Sequence, residues 1–103
     1  MMPLAIKTVD TTITDTMSQG GCWAQVVFDV SGSYAYNGNN LLNVNISTSI
    51  KSAPSDWTVV IDSTSWELSG TNLLVKISYH YKASYYDCAY TGGYVYTMVQ
   101  GTV

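Results

Sequence analysis

The chain has 103 residues, 47% of them hydrophobic, and six Asp, one Glu and four Lys give it a formal charge of −3; it contains no Arg. That is apolar material for one core, and the length predicts a single domain over residues 1–103. Lys7, Lys51, Lys76 and Lys82 are too few and too scattered to displace counterions from a phosphate backbone, which excludes nucleic acid, and no apolar run approaches the ~20 residues of a membrane-spanning helix.

Apolar and polar residues alternate with period two through most of the chain, the pattern of strands with one buried and one wet face. Residues 4–14 read as a Thr-rich first strand suited to an edge, and Thr16 to Gly21 as a loop broken at Gly20-Gly21. In residues 22–36, Ala24, Val26, Phe28, Val30, Tyr34 and Tyr36 share one parity, and Gly32 marks an expected bulge or kink. Asn37-Gly38 between two alternating runs is a strong hairpin signal, because both residues tolerate the positive φ of a type I′ turn.

Residues 41–50 set Leu42, Val44, Ile46, Thr48 and Ile50 against a face of Asn43, Asn45, Ser47 and Ser49. Lys51 to Asp56 is a loop holding Pro54, which cannot donate to a ladder. Residues 57–62 form a strand, Ser63-Thr64-Ser65 a bulge, and Trp66 to Leu68 resume extended structure before the turn Ser69-Gly70-Thr71-Asn72. Leu73, Val75, Ile77, Tyr79 and Tyr81 then line one face of a strand over 73–82. A short run at 85–91, a tight turn at Thr91-Gly92-Gly93 and a last strand at 94–102 complete the chain.

No segment has the spacing of an amphipathic helix. The expectation is an all-β fold, a two-layer antiparallel β-sandwich of about seven strands. Tyr86-Asp87-Cys88 places a Tyr two residues before a Cys, as in a tyrosine corner, so the architecture is immunoglobulin-like by analogy. Two features depart from that analogy: Tyr34 and Tyr36 stand where a Trp would follow Cys22, and the Asn37-Gly38 hairpin joins its strands directly.

Cys22 and Cys88 are the only cysteines, and with His80 the only imidazole they fall short of a four-ligand zinc site. Neither has a cation or histidine close in sequence to activate it as a nucleophile. A disulfide or two buried thiols remain, and a small exported β-domain favours the bridge, which would contribute about 4 kcal/mol in the chain-entropy model. The carboxylates are dispersed without calcium-loop spacing, no nucleophile-elbow motif occurs, and His80 shares its parity with Lys76, Ser78 and Lys82 on a wet face. No catalytic residue, metal or cofactor is assigned.

The aromatic residues are the functional lead. Tyrosines crowd the last quarter of the chain, and Tyr combines a flat apolar body with a polar tip suited to interfaces. Trp57, Trp66, Tyr85, Tyr90, Tyr94 and Tyr96 are the candidate binding residues. With a charge-poor surface holding 24 Ser and Thr, they point to a secreted or cell-surface module that is not an enzyme. Its expected partner is another protein or its own copies; the alternative is a carbohydrate-binding module using the exposed Trp and Tyr side chains.

Overall fold

The computed structural model describes residues 4–19, 21–83 and 91–99. They form two three-stranded antiparallel sheets. Sheet A is built in order from β1 (Ala5–Gln19), β2 (Cys22–Asn37) and β3 (Asn40–Ser52). Sheet B is built from β4 (Trp57–Ser69), β5 (Asn72–Ala83) and β6 (Thr91–Val99). Each sheet is a meander of consecutive strands, so the described strands lack the interleaving between sheets of an immunoglobulin-type arrangement. Among the described residues there are six strands, against about seven expected; residues 85–90 of the expected short strand, with Tyr86 and Cys88, lie outside the described residues.

Several boundaries differ from the sequence reading. β1 continues through Thr16 to Gln19, because Ile13, Asp15 and Met17 extend its inward parity and Met17 is fully buried. The break then falls at Gly21, whose φ of 87° needs no Cβ. The β2–β3 corner is Gly38-Asn39, one residue later than expected, since Asn37 pairs with Asn40 and Gly38 takes a φ of 60°. Thr91, Gly92 and Gly93 do not turn; they pair with Tyr81, His80 and Tyr79 and open β6.

Gly32 is not a bulge. The register passes through it unbroken, pairing it with Val9 and Ile46. Its φ of 135° and its closeness to the Asn45 carbonyl explain the glycine. The register shifts lie instead on β3, at Leu42 and Lys51, and on β4, at Asp62. The Asp62 bulge falls one residue before the expected Ser63-Thr64-Ser65 site and reverses the parity of the rest of β4.

The apolar faces of both sheets share one core. Val26, Phe28, Val30 and Tyr34 of β2 and Leu73, Val75, Ile77 and Tyr79 of β5 are at its centre, with Val9, Ile13 and Met17 of β1 along one side. Phe28 meets Tyr79 edge to face at 4.9 Å, joining the middle strands of the two sheets. Polar groups tie the sheets at their margins. Tyr34 donates to the Thr71 carbonyl at 2.7 Å, Tyr79 donates to Asp15, and the Thr48 and Thr64 hydroxyls lie 2.7 Å apart. Long strands in two layers make a rod of 60 × 18 × 16 Å.

Candidate functional site

The predicted binding residues divide. Trp57 is 6% exposed, pairs with the buried Ala83 and packs its ring 5.8 Å from that of Tyr81. It belongs to the core and is withdrawn as a binding residue, because the inward parity of β4 before the bulge carries it between the sheets. Trp66 lies beyond the bulge, on an edge strand, and is 37% exposed. It borders a shallow depression of about 210 Å³ lined also by Ser65, Glu67, Leu74 and Lys76. Tyr96 stands opposite Lys76 and Tyr94 opposite Ser78 on the other flank of β5. The register does not bring them together: Trp66 is opposite the buried Val75, on the inward parity of β5, whereas Tyr94 and Tyr96 are opposite positions of the other parity. Tyr85 and Tyr90 lie outside the described residues.

Cys22 opens β2, half-buried and packed against the core, while Cys88 lies outside the described residues. His80 sits on the outer face of sheet B, as its parity indicated, but it has a partner that the sequence did not reveal. Its Nδ1 donates to the Asp62 carboxylate, at 2.7 Å to Oδ1 and 2.9 Å to Oδ2. The bulge supplies this pair by adding Asp62 to β4 between Ile61 and Ser63.

Sequence reasoning also missed Trp23, whose side chain is 70% exposed at the start of β2. Its odd parity among the inward even positions of β2 was the available signal. Among the described residues, no His, Cys, Asp and Glu side chains gather in a group able to hold a metal ion, and no helix is long and apolar enough to cross a membrane.

The strand margins are the second feature. β1 and β3 bound sheet A, and β4 and β6 bound sheet B. An edge strand presents unpaired N–H and C=O groups to any incoming chain unless bulges, prolines or lysines block it. β3 and β4 carry bulges. β1 runs for 15 residues without a register shift, and its exposed face is Thr8, Asp10, Thr12, Thr14 and Thr16.

With this geometry in place, comparison with known proteins adds no relative: no protein-family model matches the chain, and no curated protein or solved structure resembles it significantly.

Proposed function

We propose that this chain is a non-enzymatic β-sandwich module of the cell exterior that acts in protein interaction or self-assembly. One observation carries the reading: β1 is a long edge strand without a register shift, and its only lysine is Lys7. Strand addition to such an edge gives affinity through main-chain hydrogen bonds and needs no pocket. The exported setting is supported by the charge-poor, hydroxyl-rich composition, and a bridge from Cys22 to Cys88 is proposed with it. Size-exclusion chromatography with light scattering tests the reading. Assembly that grows with concentration is expected, and a strict monomer together with no captured protein partner would remove it.

A second reading, carbohydrate binding, rests on Trp66 and its depression beside Leu74 and Lys76. A glycan array read by tryptophan fluorescence tests it, with W66A as the control. Under this reading W66A abolishes the response; no response from the wild-type protein to any polysaccharide ends it.

A further inference from the structure

We infer that copies of this chain join head to tail, with the exposed Trp23 of one copy seated in the depression beside Trp66 of the next. This rests on the self-assembly proposed above and places a contact away from the β1 edge.

The two parts of the joint lie at opposite ends of the rod and on opposite sheets. Trp23 stands opposite Ser18 in the β1–β2 ladder, and the Tyr81 hydroxyl bonds the N–H and the carbonyl of Ser18, each at 3.3 Å. Trp23 therefore sits at the Tyr81 end of β5. The depression lies at the other end, where Leu74 follows the turn at Gly70 and Tyr34 donates to the Thr71 carbonyl. Leu74 and Tyr81 are separated by about 23 Å along the strand. Trp23 has the outward parity of β2, since Ala24 and Val26 are buried. Ser65 opposite Lys76, and Glu67 opposite Leu74, have the outward parity of sheet B.

The chemistry of the two parts matches. The Trp23 side chain is 70% exposed, so it has most of an indole surface to bury. The depression, of about 210 Å³, has room for one such ring. Trp66 and Leu74 offer it apolar contact, and the Glu67 carboxylate and Ser65 hydroxyl are acceptors for the indole N–H. The Lys76 ammonium suits the face of the ring. A tryptophan anchored in a pocket is the kind of contact that dominates an interface.

Charge also permits the joint. Around Trp23 the outer face of sheet A presents Ser18, Thr16 and Gln25, all uncharged. Copies joined end over end overlap from the depression to the Gly70 turn, about 13 Å of β4. Asp29, the first carboxylate along that face of β2, lies about 20 Å from Trp23 and so falls beyond the overlap, away from Glu67. Because the joint uses different surfaces of the two copies, every assembly keeps one free Trp23 and one free depression, and growth is open-ended. A single aromatic anchor makes a small interface, so the assembly depends on concentration.

Two variants of the full chain test the joint. W23A removes the inserted ring, and S65R fills the depression from an exposed position; circular dichroism like that of the wild type shows that each fold persists. In light scattering from micromolar to millimolar protein, the wild type grows past twice the 11.2 kDa chain mass. Each variant alone needs about tenfold more protein, or higher, to assemble. Mixed where each alone is a monomer, the two form a species of two chains and nothing larger, because S65R supplies the only Trp23 and W23A the only open depression. Either variant assembling like the wild type, or a mixture that does not pair, overturns this joint and leaves self-assembly standing. A wild-type protein that stays monomeric at millimolar concentration removes both.

Discussion

Tyr79 and Asp15 show how a single side chain links the two sheets. The phenol is 2% exposed and donates to a carboxylate on the opposite sheet. Burial, the hydrogen bond to Asp15, and the charges of Asp15 and Tyr81 together push its ionisation well above the ordinary tyrosine range. The folded chain thus holds this proton more tightly than the unfolded chain. The associated stability is complete below about pH 10, where unfolded tyrosines are also protonated, and is lost as pH rises past that value. Urea unfolding between about pH 8 and pH 11 will show stability falling at the alkaline end, less steeply in Y79F. D15A strands the buried hydroxyl without its acceptor and costs about 1–3 kcal/mol. The double variant loses less than D15A, because it removes donor and acceptor together.

Gly32 makes the other prediction at this scale. A Cβ there would lie 1.9 Å from the Asn45 carbonyl oxygen, on a backbone already at φ 135°. Neither β2 nor β3 can retreat without losing ladder bonds, so G32A is expected to cost about 3 kcal/mol or more, read as a lower urea midpoint.

Among the elements, β2 and β5 carry the packing. Both are central in their sheets, and every inward side chain from Ala24 to Val30 and from Leu73 to Tyr81 is buried. Phe28 and Tyr79 are the contact between them. F28A leaves a cavity in the middle of a two-layer core that cannot close by moving one strand alone. A loss of about 3–5 kcal/mol in denaturant unfolding is expected. β4 shows the opposite logic. Its bulge at Asp62 swaps faces midway, sending Trp57 inward, aiming Asp62 at His80 and leaving Trp66 at the margin. One extra residue thus gives Trp57 and Trp66, of opposite parity in the sequence, the same inward parity opposite Ala83 and Val75, where an uninterrupted strand would have put them on opposite faces.

At the scale of the molecule, shape follows from strand length. Strands of 12 to 16 residues in five of the six elements, stacked in only two layers, give a radius of gyration of 16.0 Å. A compact domain of this length would have about 13 Å. Small-angle scattering from a dilute sample is expected to report a radius near 16.0 Å and a longest dimension near 60 Å. A rod with long edge strands also has more edge per residue than a compact sandwich, which connects the shape to the proposed assembly.

The sequence by itself determined the class of fold and the inner face of nearly every strand. Side-chain direction in a strand has period two, and the positions of Val26, Phe28, Ile77 and Tyr79 admit only one buried face. It also marked the hairpin corners, since few residues but glycine accept the positive φ found at Gly21, Gly38 and Gly70. Tertiary structure alone decided which strands became edges, where the bulges fell, and that Asp62 meets His80 and Asp15 meets Tyr79. Those outcomes depend on register between strands and on packing between sheets. Alternation along one strand is blind to both, because sliding a strand by two residues leaves its pattern of faces unchanged.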